Sequence, residues 1–375
     1  MSESFDLALI GGGLAGLSLA IQVARLGHRV VLFEKNQYPF HKVCGEYIAM
    51  ESWDHITQLG VPLASMALPR ITRLQVSDPA GRILNHPLEP GGFGISRYLL
   101  DHALADLARA AGVSVIEKTT VKGVSEHGGR FAIESPIGEV SAAVVAGSYG
   151  KYANLDVKLG RGFIAPETRA SAFAAVKYHI QHDVPDDLIV LHNFAGGYCG
   201  MSRIEDGKSC LCYLVRAEVL KTAGGIQALE AEIMSQNPHL KRIFASATPL
   251  YAQPLAISQI HFSPKQLIEQ HVLMLGDAAG LIPPLCGNGM SMALRASSLL
   301  APLLDDFYRH RLDRDGLEQA YTQAWQQAFA TRLRTGRLLQ HLFGRPAPVS
   351  WALRLLRPLP RAVNKLVALT HGEAF

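Results

Sequence analysis

The most constraining feature of the sequence is a glycine pattern near its start, Gly11-x-Gly13-x-x-Gly16, set between two apolar runs. Residues 6–10 (DLALI) and 29–34 (RVVLFE) each have the short apolar character of a buried parallel strand. Apolar residues at helical spacing fill the interval between the glycines and the second run. The chain is therefore predicted to begin with a strand–turn–helix–strand unit.

Each glycine in this pattern has its own physical role. Gly11 permits a tight turn, Gly13 lets a diphosphate approach the backbone, and Gly16 lets helix and strand pack closely. At Leu14 and Ala15 the helix begins, so unpaired N–H groups and the positive end of the helix dipole face that diphosphate. The pattern predicts a dinucleotide site.

The second apolar run ends in an acid, Glu34, followed by Lys35. A carboxylate at this distance from the glycines is typical of a ribose ligand in dinucleotide-binding folds. The adenosine half of a dinucleotide is therefore expected near the N-terminus. The motif alone does not distinguish FAD from NAD.

A second motif, much later in the chain, favours FAD. Residues 271–275 (HVLML) have the pattern of a buried strand and lead directly into Gly276 and Asp277. A carboxylate at the end of a strand can accept hydrogen bonds from the hydroxyls of a ribityl chain. Asp277 is therefore predicted to bind the ribityl linker of a flavin.

The helix after this motif begins with a glycine-rich segment, residues 287–290 (GNGM). Backbone N–H groups at Gly287, Gly289 and Met290 can point at the N1/C2=O edge of a flavin, which becomes negative on reduction. The two motifs together predict FAD as the cofactor.

The pair GGGLAG…FEK and GDAAGLIPPLCGNGM resembles the FAD fingerprints of the p-hydroxybenzoate hydroxylase and geranylgeranyl reductase superfamily, from about residue 5 to residue 305. The resemblance implies an α/β fold of the glutathione-reductase-like type. Its parts would be a Rossmann-like three-layer FAD/NAD(P)-binding domain, an inserted antiparallel-sheet substrate domain and a helical C-terminus. Arg97, in RYLLD, resembles the family's R-x-x-L-D helix start, which implies that Arg97 lies near the flavin's phosphate and ribityl region.

We expect three regions along the chain. The FAD-binding domain is predicted to be discontinuous (residues 1-75, 95-160 and 265-310), with a substrate-binding domain (76-94 and 161-264) and a C-terminal helical region (311-375).

The chain departs from the family's patterns at several places. The hydroxylases carry an Asp-Gly motif that contributes to FAD and NAD(P)H binding, but residues 146–151 (AGSYGK) contain no aspartate. NAD(P)H and a partner flavoprotein are therefore both candidate electron donors. The W-x-W-x-I-P element of tryptophan halogenases and the longer Y-x-W-x-F-P signature of geranylgeranyl reductases are also missing from the sequence.

A candidate catalytic segment follows the second strand, at residues 41–47 (HKVCGEY). Its Cys-Gly pair resembles that of geranylgeranyl reductases, which implies that Cys44 lies beside the flavin and takes part in ene reduction. A thiol there could donate a proton, and Glu46 could tune the thiol or act as a base. The alternative is that Cys44 only packs and Glu46 is a solvated or hydrogen-bonding residue.

Residues 196–200 (GGYCG) contain more glycine than a plain strand does. This segment is predicted to be either a place where substrate approaches the backbone and contacts Tyr198, or a bulged turn with a packed tyrosine. Cys210 and Cys212 share one strand face and are expected to be buried small side chains. No histidine is assigned to catalysis, and without CxxC or HExxH motifs no metal is expected.

The charge distribution excludes one class of partner and suggests others. A net charge of +4, with no basic run interleaved with aromatic residues, does not indicate nucleic-acid binding. From Arg332 onward, however, Glu373 is the sole side-chain acid among eight lysines and arginines. This tail is predicted either to contact an anionic membrane or an acidic carrier protein, or to pack on the body with its arginines in water. The five cysteines do not have the even number or the spacing of a disulfide scaffold, which favours a location in the reducing cytoplasm. That location includes the inner surface of the membrane.

Three functions fit these features. The leading prediction is a flavin-dependent monooxygenase (hydroxylase) that acts on an apolar or aromatic secondary metabolite, free or carrier-bound. The alternative is reduction of a double bond in a prenyl or polyene substrate, with Cys44 involved. The third is a non-catalytic FAD or lipid carrier resembling Rab GDP-dissociation inhibitors. The intact Gly276-Asp277 segment disfavours this third function, because it is placed to hold a redox-active flavin.

Overall fold

The computed structural model describes residues 3–164 and 172–375 of the 375-residue chain. Residues 1–2 and 165–171 lie outside this description, and with them part of the predicted substrate-binding segment 161-264. Over the described residues the chain forms two sheets, with helices packed on them and a helical tail.

The strands alternate with helices at the start and follow one another in the middle of the chain. In chain order they are β1 (Ser4–Ile10), β2 (Val30–Phe33), β3 (Tyr47–Ala49), β4 (Arg70–Ser77), β5 (Ile83–Gly94), β6 (Ser114–Ile116), β7 (Gly123–His127), β8 (Arg130–Ser135), β9 (Gly138–Gly147), β10 (Phe173–Gln181), β11 (Leu188–Phe194), β12 (Gly197–Arg203), β13 (Ser209–Arg216), β14 (Thr248–Pro249), β15 (Leu255–Ile260), β16 (Ile268–Glu269) and β17 (Val272–Met274).

The longest helices lie in the last quarter of the chain. In chain order the α-helices of more than one turn are α1 (Leu14–Arg25), α2 (Trp53–Gln58), α3 (Arg97–Ala110), α4 (Asn154–Lys158), α5 (Ala217–Thr222), α6 (Pro238–Ser246), α7 (Gly289–Tyr308), α8 (Arg314–Gln340), α9 (Pro346–Leu356) and α10 (Pro360–Ala368). None of the helices within the described ranges combines the length and the apolar character that a bilayer crossing requires.

The first sheet has the order β16-β17-β9-β1-β2-β6, extended by the β7–β8 hairpin on β9. Strand β1 pairs in parallel with β2 and β9, and β17 is parallel to β9. Its central strand is completely enclosed, since Leu7 and Leu9 have no exposed surface. Because the carboxyl ends of parallel strands share one edge, the residues after β1, β2 and β17 meet there.

The second sheet has the order β14-β10-β13-β12-β11-β4-β5-β3, with β15 paired to β10. It is antiparallel except between β4 and β11. Strands β4 and β5 form a hairpin that turns at Asp78, whose carbonyl oxygen accepts from the Gly81 N–H at 2.9 Å. Strands β3 and β4 begin before residue 76, so the second sheet starts earlier than the boundary expected from the sequence, while the domain boundaries themselves stay a prediction.

The alternative of a bulged turn with a packed tyrosine at residues 196–200 is confirmed for Gly196, which lies in the turn before β12, and for the buried Tyr198, but it is wrong for residues 197–200, which form a strand without a bulge. Strand β12 pairs without a register shift to β11 and β13 and lies near the middle of the sheet. A Cβ atom at Gly197 would lie 2.2 Å from the Leu214 carbonyl oxygen and 2.6 Å from the Phe194 ring. The glycine at position 197 therefore reflects close packing against neighbouring groups, which local turn propensities do not report.

Candidate cofactor and substrate site

The turn after β1 has the geometry that the glycine pattern predicts. Gly11 has a φ of +106°, and a Cβ there would lie 2.6 Å from the Ser148 carbonyl oxygen. A Cβ at Gly16 would lie 2.3 Å from the Gly11 carbonyl oxygen. At Gly13, by contrast, the nearest atom to a Cβ would be 3.7 Å away, so this glycine leaves room above the N-terminus of α1. The fold itself requires glycine at positions 11 and 16, whereas a diphosphate beside Gly13 stays a prediction.

The Glu34 carboxylate is held at the wall of the cavity above this turn. The Gly12 N–H donates to its Oε2 at 2.9 Å, and the Asn36 N–H donates to Oε1 at 3.0 Å. Glu34 has 5% exposure, and it lines the cavity together with Lys35. The backbone bonds fix the carboxylate while leaving acceptor capacity for ribose hydroxyls.

Two cations converge on the space left open by Gly13. The Arg97 Nη2 and Lys42 Nζ atoms would lie 3.7 and 3.8 Å from a Cβ at that position. Both bind Asp101: Arg97 through two bonds of 2.7 and 2.8 Å, and Lys42 at 2.9 Å. Burial alone would raise the pKa of Asp101, but the Arg97 and Lys42 cations hold it below its ordinary value. Two positive charges against one carboxylate leave a net positive cradle for a diphosphate.

Asp277 lies at the end of β17, on the same sheet edge as Gly13, and lines the same cavity. Burial raises the pKa of its carboxyl, and the Lys265, Arg97 and Lys151 cations oppose that rise. The Lys265 ammonium group donates to the carbonyl oxygens of Asp277 and Lys151, each at 2.7 Å. A buried acceptor among cations suits the hydroxyls of a ribityl chain.

The start of α7 and the loop before it also line the cavity. Gly287 has a φ of +63°, and a Cβ there would lie 2.9 Å from the Tyr47 ring. The Asn288 side chain fixes this loop because it donates to Glu51 at 2.7 Å and accepts from Arg332 of α8 at 2.9 Å. Gly287, Gly289 and Met290 all line the cavity, which is the placement required for N–H groups facing a flavin edge.

Cys44 lies between the start of α7 and the second sheet and contacts both. Its Sγ lies 3.6 Å from the Met290 Sδ at the start of α7. The Cys210 thiol of β13 donates to the Cys44 carbonyl oxygen at 3.2 Å, and Cys212, two residues along β13, lines the cavity. Burial raises the pKa of the Cys44 thiol, so this group is protonated at neutral pH. It is therefore suited to donate a proton rather than to act as a thiolate.

Glu46 is fully enclosed, and both of its carboxylate oxygens are bound. Lys177 Nζ lies 2.5 Å from Oε1, and His179 Nε2 lies 2.5 Å from Oε2, both from β10. The Arg97 N–H also donates to Oε1, at 2.8 Å. Burial would raise the pKa of Glu46, but the His179 hydrogen bond and the Lys177 cation lower it. The alternative of a solvated carboxylate is therefore wrong and that of a hydrogen-bonding residue is confirmed, while a role of Glu46 in tuning the thiol or as a base stays a prediction.

Ligand-type atoms of Glu46, His179 and Cys210 lie within 4.8 Å of one another. The Lys177 ammonium group already neutralises this cluster, and burial raises the pKa of the Cys210 thiol well above its ordinary value. A thiol must lose its proton to bind a metal, so this arrangement disfavours a cation.

A cavity of about 1030 Å³ runs from the Glu34 end to the second sheet. The sheet contributes an apolar wall, which includes Ala175, Ile189, Leu191, Met201, Leu214 and Ile257. Tyr198 also lines the cavity, but its hydroxyl accepts from the Leu285 N–H at 2.8 Å and its ring packs edge-on against Phe343. Tyr198 thus connects the sheet to the loop before α7, and the remaining wall suits an apolar ligand.

Sequence reasoning missed Lys42, Lys151, Lys177 and Lys265 as residues around this site. Each is a single lysine without a motif. Lys42 offered the one usable signal, because it stands two residues before Cys44 in the segment already expected beside the cofactor.

Comparisons with known proteins agree with this geometry. A family model described as an NAD(P)-binding Rossmann-like domain matches residues 9–43. Conditioned medium factor receptor 1 of Dictyostelium discoideum is 24% identical, over 87% of this chain and 68% of its own length. Digeranylgeranylglycerophospholipid reductase 2 of Methanothermobacter thermautotrophicus is 25% identical (79% and 76%), and menaquinone reductase of Mycobacterium tuberculosis is 22% identical (96% and 86%).

Solved structures share the fold over nearly the whole chain. A geranylgeranyl bacteriochlorophyll reductase-like protein from Thermoplasma acidophilum superposes with a TM-score of 0.80 at 18% identity, covering 98% of this chain and 96% of that one. The flavin-dependent brominase Bmp2 gives 0.78 at 17% identity, covering 98% and 93%.

Fold and site together define a flavoprotein of the two-sheet α/β type. These likenesses support an FAD-dependent oxidoreductase: the chain is similar in sequence to digeranylgeranylglycerophospholipid reductases and shares its fold with flavin-dependent halogenases. The findings support FAD as the cofactor, and the described residues fit it: Glu34 would bind the ribose, the Arg97–Lys42 cradle the diphosphate and Asp277 the ribityl chain.

Proposed function

We propose that this oxidoreductase reduces an isolated carbon–carbon double bond in a long apolar chain of the prenyl type. The observation that carries the proposal is the position of Cys44. Its protonated thiol lies beside Met290, at the flavin-facing start of α7, and borders the apolar wall of the second sheet. A proton donor at the junction of a cofactor site and an apolar cavity suits ene reduction better than it suits oxygen insertion.

The chain's own residues have distinct tasks in this proposal. Reduced FAD, when bound, supplies the hydride equivalent that saturation of a double bond requires. The other requirement is one proton, which the Cys44 Sγ–H donates to the second carbon of the double bond. The resulting thiolate regains its proton from water. The Arg97 cation, and to a smaller extent Lys177, lowers the pKa of Cys44 against burial and the Glu46 charge, so these cations stabilise the transient thiolate.

The cavity wall sets the substrate class. The side chains of Ile189, Leu191 and Leu214 present hydrocarbon surface, which binds an aliphatic chain through burial and excludes water from the reacting carbons. Two of the relatives are named for reducing a digeranylgeranyl glycerophospholipid and menaquinone, and the names support a polyprenyl substrate.

Monooxygenation, the leading prediction from the sequence, is the second candidate. It is supported by an apolar cavity that can shield a reactive oxygen species and by the likeness to the flavin-dependent brominase. A non-catalytic carrier stays the third. The electron donor, NAD(P)H or a partner flavoprotein, remains a prediction.

One experiment separates these functions. The FAD-loaded protein is reduced with dithionite under anaerobic conditions and mixed with a digeranylgeranyl glycerophospholipid or with menaquinone, before oxygen is admitted. Flavin reoxidation without oxygen, with two hydrogen atoms gained in the prenyl chain and not at the quinone ring, supports double-bond reduction. A product that gains an oxygen atom only after aeration contradicts it and supports monooxygenation. No substrate-dependent change in either stage supports a carrier.

A further inference from the structure

The last two helices present an exposed face that combines large apolar side chains with cations. On α9, Trp351, Arg354 and Leu355 follow the spacing of one helix stripe, and Leu359 continues it toward α10. Trp351 is 62% exposed, Leu355 63% and Leu359 53%. The Arg354 guanidinium lies over the Trp351 ring, 5.7 Å from its centroid. Exposed apolar side chains this large, grouped together, indicate a contact surface.

The charged side chains of α9 and α10 themselves, and of Arg345 before them, are all basic. Arg345, Arg357 and Arg361 are exposed beside it, and Lys365 follows one turn after Arg361 on α10. No acid stands between Arg332 and Glu373 in the sequence. We call the surface formed by Trp351, Arg354, Leu355, Arg357, Leu359 and Arg361 the tail face. Its partner must therefore be both apolar and anionic.

The opposite side of α9 is packed on the protein. Val349 is buried, and Leu353 contacts the apolar cluster that contains Tyr198, Leu191 and Leu214 of the cavity wall. The helix is thus a layer whose inner side borders the cavity and whose outer side is the tail face. Such a helix, with tryptophan and leucine interleaved with arginine, is suited to lie in the interface of a bilayer.

We propose that the tail face docks the protein on an anionic lipid bilayer. The arginines contact lipid phosphates, while Trp351, Leu355 and Leu359 enter the boundary between headgroups and acyl chains. Docking places the outer side of the cavity wall against the bilayer. If the proposed double-bond reduction holds, a prenyl lipid can then pass from the bilayer to the cavity without crossing water.

The test is co-sedimentation of the full-length, FAD-loaded protein with vesicles of phosphatidylcholine alone or mixed with phosphatidylglycerol. We expect binding to the mixed vesicles, weakened by salt. Arg354→Gln and Arg357→Gln should each weaken it about fivefold, because a cation near an anionic surface contributes about 1 kcal/mol. Trp351→Ser combined with Leu355→Ser should abolish the binding that remains at high salt. Tryptophan emission should shift to the blue with vesicles, and this shift should be lost in Trp351→Phe.

The matched control residues are far from the tail face in the sequence. Ile137→Ser removes a side chain with the same 62% exposure, and Lys122→Gln removes an exposed cation; both should bind vesicles like the wild type. The proposal is overturned if wild-type protein stays in the supernatant with both kinds of vesicle, or if the tail-face variants bind as well as the controls. It is equally overturned if the variants lose self-association, or binding to an acidic acyl carrier protein, but not binding to vesicles. Because vesicle binding needs no turnover, its failure is distinct from failure of the proposed reduction.

Discussion

The Lys177 ammonium group lies 2.5 Å from the Glu46 carboxylate, and neither side chain has any exposed surface. The pair joins β10 of the second sheet to the segment that carries Cys44. Removing one partner of a buried ion pair leaves an uncompensated charge, at a cost of about 3–5 kcal/mol. We therefore expect Lys177→Met to lower the free energy of unfolding by about that amount, measured by urea titration.

Two further variants make this prediction specific. Lys221→Met, at an exposed position on α5, should leave the free energy of unfolding unchanged. The double variant Lys177→Met/Glu46→Gln should recover part of the loss, because the carboxylate charge is removed as well. A double variant less stable than Lys177→Met alone would contradict the account of Glu46 as a charge that Lys177 compensates.

Gly13 and Gly16 should respond in opposite ways to the same substitution. Gly13→Ala places a methyl group at an ordinary 3.7 Å from its nearest neighbour, in the space assigned to the diphosphate. We expect a normally stable protein that loses FAD. Gly16→Ala places the methyl group 2.3 Å from a backbone oxygen, so α1 must shift and the free energy of unfolding should fall by about 1–3 kcal/mol.

The measurements for this pair are thermal unfolding of the FAD-free proteins and fluorescence titration with FAD. Gly27→Ala is not a suitable control because its φ of +93° would add strain, whereas Gly162 has open space and an ordinary φ. Gly162→Ala should therefore match the wild type in both assays. Wild-type FAD affinity in Gly13→Ala would show that the diphosphate lies elsewhere.

Glu34, Gly13 and Asp277 could be predicted from the sequence because each follows a strand with a strong apolar pattern, and parallel strands bring such positions to one edge. The contacts of Lys177 and Lys265 could not. Lys177 and Glu46 are 131 residues apart, and their meeting depends on the position of β10 in the second sheet. Local patterns do not encode that position. The error at Gly197 has the same origin, since its need for glycine comes from Leu214 of the neighbouring strand.

Lys265 should make the free energy of unfolding depend on pH in the alkaline range. Burial lowers the pKa of its ammonium group from 10.5 to about 8 in the folded chain. Between these values the unfolded chain binds more protons than the folded chain does, so this group's contribution to stability rises as pH increases from 8 toward 10.5.

The variant Lys265→Gln removes that contribution. We expect the stability difference between wild type and variant, from urea titrations at several pH values, to grow in favour of the wild type by on the order of 2 kcal/mol across this range. Taking the difference cancels groups that titrate in both proteins. Lys122→Gln, at an exposed site, should give a constant difference. A constant difference for Lys265→Gln too would place its ammonium group in water.

Cys44 is the residue on which the proposed chemistry depends most directly. If its thiol donates the proton, Cys44→Ala should reduce turnover of a digeranylgeranyl glycerophospholipid by about a hundredfold or more, since general-acid catalysis contributes about 10²–10⁴-fold. FAD affinity should change little, because the contacts to the diphosphate, ribose and ribityl chain are expected from Arg97, Glu34 and Asp277. Cys212→Ala, which removes another thiol from the same cavity, is the matched control and should keep most of the activity.

The pH profile separates proton donation by Cys44 from packing. Burial raises the pKa of this thiol above the ordinary value of 9.0, so the donor stays protonated through the region where an exposed cysteine would ionise. We expect kcat of the dithionite-reduced protein to stay level through pH 9 and to fall only at higher pH, as the proton is lost. In Cys44→Ala the residual rate should lack this alkaline limb. If Cys44→Ala keeps both the wild-type rate and the wild-type decrease at alkaline pH, Cys44 is not the proton donor. The proposal that a thiol between Met290 and the apolar wall protonates the substrate is then contradicted.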